Sequence, residues 1–151
     1  MPTLHLLLER EEAERDRWLQ RLHQAEDALR RAQAQADMLL TYRDEYRQRW
    51  SAQFARGASV PLVQCYQGFV ARLDQAIAEQ QRLLQTEADR AAQTRAALAA
   101  QQVRVASVRK LIERRTSDAQ QRAGRREQKH SDEIAARVHR LARVPVAAAA
   151  S

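Results

Sequence analysis

Arg56 to Pro61 reads RGASVP, the one place in the chain where Gly, Ser and Pro cluster. Gly57 can take a left-handed helix cap, Ser59 can cap a new helix start, and Pro61 is tolerated in a first turn. The stretch therefore predicts a tight turn between two helices. Toward the amino terminus, spacings of three and four alternate through Trp18, Leu22, Ala25, Leu29, Ala32, Ala36, Leu39, Arg43, Tyr46 and Trp50, with a weaker continuation back to Leu8. That alternation is a heptad seam. Toward the carboxy terminus a second seam keeps strict phase through Val63, Tyr66, Val70, Leu73, Ile77, Gln80, Leu84, Glu87, Ala91, Thr94, Leu98, Gln101, Val105, Val108 and Ile112. Beyond Ile112 the apolar residues thin out, and Ile134, Val138 and Leu141 fall out of register with it.

Two helices folded about residue 58 set residue i roughly opposite residue 117 − i, since both rise about 1.5 Å per residue. Leu8 then faces about Arg109, and the residues beyond Arg109 have no partner helix in the chain. The expected fold is all-α: a long, asymmetric, two-helix antiparallel coiled-coil hairpin with an overhanging basic helix at its carboxy end. As a single coiled-coil domain, residues 1–151 divide into a first helix over 4–55, a turn at 56–60, a second helix over 61–143 and a disordered tail over 144–151, where Pro145 ends the helix. The second arm, of about 80 residues, is roughly 120 Å long. Gly68 and Gly124 within it each cost about 1 kcal/mol relative to Ala, and mark either a close contact or a point of flexibility.

Composition agrees. Three Gly, three Pro and 30% charged residues among 151 leave too little punctuation for a globule with many turns. Much of the 44% hydrophobic fraction is Ala, which buries little area at about 25 cal/mol per Å², so the core is thin. Ala, Leu, Glu, Gln and Arg all favour helix. The single Cys65 excludes an internal disulfide framework, suits a reducing cytoplasm, and is expected to be a small packing residue. Leu4, Leu6, Leu7 and Leu8 are too short an apolar run for a signal peptide, and no run approaches the roughly 20 residues that span a bilayer.

Charge is uneven. Through Val108 there are 15 Arg against 14 acids, whereas Arg109 to Arg143 hold 11 basic residues against 5 acids, which places nearly all of the net +7 on the overhang. A helix so charged and so little able to bury itself needs a partner or frays. Phosphate loop, HExxH and CxxC motifs are all missing from the sequence, and His5, His23, His130 and His139 are scattered. His130, Asp132 and Glu133 imitate a metal cluster, but such neighbours on a helix point in different directions. The chain reads as a non-enzyme with no catalytic residue, metal or cofactor. For the overhang three readings stand: an acidic protein partner, a solvated charged helix, and nucleic acid bound through phosphates. Interspersed acids and the lack of aromatic residues for base stacking weigh against the last.

The chain has seven aromatic residues, and Tyr42, Tyr46, Trp50, Phe54, Tyr66 and Phe69 all flank the turn. The 117 − i register pairs Tyr46 with Val70 and Leu73, Tyr42 with Gln75 and Ile77, and Trp50 with Tyr66. Tyr66 and Trp50 fit a hairpin core. Tyr42 and Phe69 stand one position off the seams and are expected to be partly exposed, as part of a binding patch.

In order and spacing, TYRDEYR (Thr41 to Arg47), YQGFVARLDQAIAEQ (Tyr66 to Gln80), VRKLIERR (Val108 to Arg115) and RREQKHSDEIAAR (Arg125 to Arg137) resemble the flagellar export protein FliJ family. The resemblance covers about Leu8 to Arg143. It implies a cytoplasmic, non-enzymatic part of the flagellar type III export apparatus, similar to the rotor stalk of rotary ATPases. By the same resemblance the end bearing the termini enters the ring of the export ATPase FliI and promotes hexamer assembly, and another face binds the export gate protein FlhA at the inner membrane. Some members also handle empty export chaperones. The gate-contacting surface of the family carries over onto Gln35, Leu39, Tyr42, Tyr46, Phe69, Leu73, Ala76 and Gln80, the last standing where some members have His. Leu39, Tyr46 and Leu73 also lie on the seams and are expected to be partly buried. For the ATPase ring the resemblance gives matching character only, so charge nominates Arg114, Arg115, Arg122, Arg125, Arg126, Lys129 and Arg137. The chain is expected to be a monomer when alone.

Overall fold

The computed structural model describes residues 2–143. Helix α1 spans Pro2–Ala55 and helix α2 spans Val60–Ala142, and among the described residues there is no strand. The first helix starts two residues before the position the sequence pattern predicts, because Pro2 suits a first turn, where its missing N–H would have no partner. The predicted tail, 144–151, lies outside the described residues.

Gly57 has φ 97°, a conformation L side chains rarely adopt, and is the one described residue with positive φ. Its amide donates to the Phe54 carbonyl at 3.0 Å and the Arg56 amide to the Gln53 carbonyl at 3.1 Å, closing α1. The Ser59 carbonyl then accepts from the Val63 amide at 3.1 Å, making Ser59 the residue at the threshold of α2, with Pro61 inside the first turn. Gly68 and Gly124 mark no close contact, since a Cβ at either would meet nothing within 4 Å.

Among the described residues the chain forms two compact units: Glu9–Val105, and residues 2–8 together with 106–143. In Glu9–Val105 the helices pack antiparallel. With Leu73 at heptad position d and Ile77 at a, every predicted α2 seam position in this unit is buried or half-buried, as is every α1 seam position from Trp18 to Trp50. The buried apolar set is Ala25, Ala32, Ala36, Leu73, Ile77, Ala91, Leu98 and Val105. Half are Ala, so the backbones approach closely and little apolar area leaves water. Asp74 stands opposite Arg43, as the 117 − i register requires, with Arg43 Nη1 donating to Asp74 Oδ1 at 3.1 Å.

Polar seam residues point inward with partners. Gln80 Nε2 donates to the Ala32 carbonyl at 3.1 Å, and Gln101 Nε2 to the Glu11 carbonyl at 3.0 Å. Cys65 corrects an expectation: it is exposed rather than packed, because it falls between seam positions Val63 and Tyr66 and so faces outward. In the other unit, Leu4 and Leu8 of α1 and Val108 and Ile112 of α2 are half-buried, and every residue from Glu113 to Arg143 is exposed. No described helix is long and apolar enough to cross a membrane.

Candidate functional site

Two surfaces carry the sequence-nominated residues, one in each unit. The first is the ring cluster of Glu9–Val105. Tyr46 is its hub, with ring centroids 4.5 Å from Phe69, 5.7 Å from Tyr66, 6.1 Å from Trp50 and 6.2 Å from Tyr42. Trp50, Phe54 and Tyr66 close a second set, at 5.0 to 5.9 Å from one another. Such separations and tilts suit aromatic pairs. Trp50 meets Tyr66 as the register requires. Tyr46 meets Phe69, next to its assigned Val70, and Tyr66 one turn before it, whereas Tyr42 meets Phe69 edge-on at 6.3 Å, nearly two turns before its assigned Gln75, since rings reach beyond their own turn.

The cluster packs the hairpin, yet it stays accessible. Tyr46, Trp50, Phe54, Tyr66 and Phe69 are half-buried, and Tyr42 is 45% exposed. The eight nominated gate residues fall into three groups. Gln35 and Tyr42 are exposed; Leu39, Tyr46, Phe69 and Ala76 are half-buried; Leu73 is core and Gln80, though half-buried, is tied by its amide to Ala32.

The two flanks of the hairpin differ in chemistry. On the flank of the e positions, Arg95 pairs with Glu26 at 3.3 Å and Arg47 with Asp74 at 3.7 Å. On the flank of the g positions lie Gln35, Tyr42, Phe69 and Ala76, and no ion pair links the helices among those residues. Two further apolar residues belong to this flank: Leu83, 46% exposed, and Met38, 70% exposed. Leu83 stands seven residues after Ala76, itself seven after Phe69, and Met38 stands one turn before Tyr42. That repeat is the signal from which sequence reasoning could have named them.

The second surface lies in the unit that joins the start of α1 to the end of α2. Arg114, Arg115, Arg122, Arg125, Arg126, Lys129 and Arg137 are all exposed. They are not one face: helical phase separates Arg114, Arg125 and Arg137 from the other four. Ile134, Val138 and Leu141, exposed at 49%, 60% and 72%, lie on the side turned away from the continued seam. A cleft of about 390 Å³ opens between Leu4 and His5 on α1 and Ile112, Thr116, Ala119 and Ala123 on α2. Among the described residues no cluster of His, Cys, Asp and Glu could hold a metal ion. The first surface offers aromatic and apolar contact, and the second offers cations beside an apolar cleft.

No curated protein and no solved structure matches the chain. The family described as flagellar FliJ protein matches residues 1–143, nearly the whole sequence and both surfaces with it. The chain therefore belongs to the flagellar FliJ protein family.

Proposed function

We propose that this FliJ-family member is a non-enzymatic component of the flagellar type III export apparatus that works as a stalk in the export ATPase. Its basic overhang enters the ring of the export ATPase FliI, promoting assembly and activity, and its ring cluster docks on the export gate protein FlhA. On this reading the chain is cytoplasmic and meets the inner membrane peripherally, through the gate. Handling of export chaperones belongs to the same reading.

The observation that carries it is exposure around the full circumference of α2 from Glu113 to Arg143. A helix that lies on a flat surface needs one docking face. Here the cations are spread over more than one face and Ile134, Val138 and Leu141 occupy another, which suits a partner that encloses the helix. The test compares the ATPase rate and oligomeric state of the cognate export ATPase with full-length protein and with protein truncated after Val108. Stimulation and hexamer formation that disappear on truncation support the stalk; no stimulation by either protein sinks it. A monomeric mass at micromolar concentration is expected for the chain alone, and a concentration-dependent oligomer would favour a structural role instead.

A further inference from the structure

The cations of the overhang are sorted by helical phase. Heptads counted onward from Val108 at d and Ile112 at a reach Arg115, Arg122, Arg126, Lys129, Arg140 and Arg143, with Ala119, Ala136 and the single acid Glu133 as the remaining a and d positions. These nine of the 31 positions from 113 to 143 hold six of the nine cations there. The other positions hold three cations, Arg114, Arg125 and Arg137, against four acids, Glu113, Asp118, Glu127 and Asp132. The stripe is thus net +5 and the rest of this segment net −1. The a and d phase that Val108 and Ile112 devote to covering by α1 is kept beyond Ile112, but its chemistry changes from apolar to cationic. An ordinary solvated helix has no reason to concentrate its positive charge in the seam phase.

We infer that the a and d stripe from Arg115 to Arg143 is the seat of an acidic helical segment of a partner protein, which lies against α2 where α1 has ended. The inference rests on the reading of the overhang as the partner-binding end, and it names the chemistry of that partner. Carboxylates on one face of a helix recur every three to four residues, the same repeat as the stripe, so each can meet a cation. Ala119 and Ala136 let the two backbones approach. The cleft bounded by Leu4, Ile112, Ala119 and Ala123 sits at the start of the stripe and accepts an apolar side chain at the end of such a segment. A nucleic-acid backbone has no apolar group to place there, and the acids on the remaining faces repel phosphate.

Two variants separate phase from bulk charge. Arg122→Glu, Arg126→Glu and Lys129→Glu reverse the stripe; Arg114→Glu, Arg125→Glu and Arg137→Glu reverse as many cations off it. All six residues are exposed, so both proteins are expected to keep the helicity of the parent. The probe is a labelled synthetic helix with Glu at its a and d positions and a terminal Leu, titrated with full-length protein at fixed ionic strength. The expected result is a loss of roughly tenfold or more for the stripe variant and within about twofold for the other, since exposed ion pairs are individually weak but act together. Equal losses, no binding of the probe by the parent protein, or preferential binding of a 20-base-pair DNA duplex overturn the inference. Repeating the titration with the cognate export ATPase separates the two readings. Probe binding that follows the stripe, beside an ATPase that fails to bind the parent protein, keeps the acidic-helix seat and removes the ATPase as its owner.

Discussion

Gln80, Glu87, Thr94 and Gln101 occupy four successive d positions of α2, while the intervening and flanking a positions Ile77, Leu84, Ala91, Leu98 and Val105 are apolar. Half of this seam is therefore polar, and its members differ in how they are satisfied. Gln80 and Gln101 reach the main-chain carbonyls of Ala32 and Glu11, and Thr94 Oγ1 donates to the Arg90 carbonyl of its own helix at 2.8 Å. Glu87 Oε2 is buried without a hydrogen-bond partner. A buried polar atom left unmatched costs free energy that a matched one does not, so substitutions at d positions of the same seam have opposite signs. Glu87→Leu is expected to stabilise the hairpin by about 1 kcal/mol and to raise Tm by about 2–4 °C, read by thermal circular dichroism. Gln101→Ala removes a bonded side chain that is only 4% exposed and is expected to destabilise by about 1 kcal/mol in the same assay. If both variants melt below the parent protein, Glu87 has a partner in solution and the asymmetry fails. The satisfied glutamines also favour one register over its neighbours, because a slide along the seam parts both amides from their carbonyls.

Between the two helices, the ring cluster divides its residues by position across the seam. Tyr46 meets four other rings and Tyr42 meets two at the edge of the cluster. Tyr46→Ala is expected to cost about 2–3 kcal/mol, below a fully buried aromatic because the site is half-open, and Tyr42→Ala less than about 1 kcal/mol. Urea unfolding distinguishes them; similar midpoints would mean that the cluster has no hub. Met38→Ala with Leu83→Ala is expected to leave the midpoint within experimental error while weakening capture of purified gate protein. A drop in stability as large as the drop in binding would make these two residues packing rather than docking. The helices, the turn and the seam are legible in the sequence because an apolar period of 3.5 residues and a Gly-Ser-Pro break each have one physical reading. The flank chemistry is harder to read. Leu83 looks like a stray apolar residue until the e positions are seen to be tied by Arg47, Asp74, Glu26 and Arg95, which leaves the g flank as the open one. Cys65 departs from expectation because its residue type favours burial while its heptad position does not. Nor does a count of the overhang's charge separate Arg122 from Arg125, which differ only in helical phase.

For the molecule as a whole, burial is concentrated in one stretch of chain. All eight buried apolar residues belong to Glu9–Val105, and the 31 residues from Glu113 to Arg143 contribute none. Their helix is held by its own hydrogen bonds and propensity, which in water are marginal without tertiary support. Stability and order should therefore separate along α2. Truncation after Val108 is expected to leave the melting temperature within about 2 °C of the full chain, because the removed segment contributes only the half-buried Ile112 to packing. Hydrogen exchange gives the same separation without truncation. Amides from Val63 to Val105 should exchange only on global opening, whereas those from Glu113 to Arg143 should exchange through local fraying, orders of magnitude faster. If the proposed stalk reading holds, addition of the cognate export ATPase should then slow exchange in the second stretch and leave the first nearly unchanged, because an enclosing ring would supply the burial the overhang lacks. Slow exchange from Glu113 to Arg143 in the isolated protein would mean that this helix already has cover in solution. A self-associated overhang would then replace the enclosed stalk as the reading of its charge.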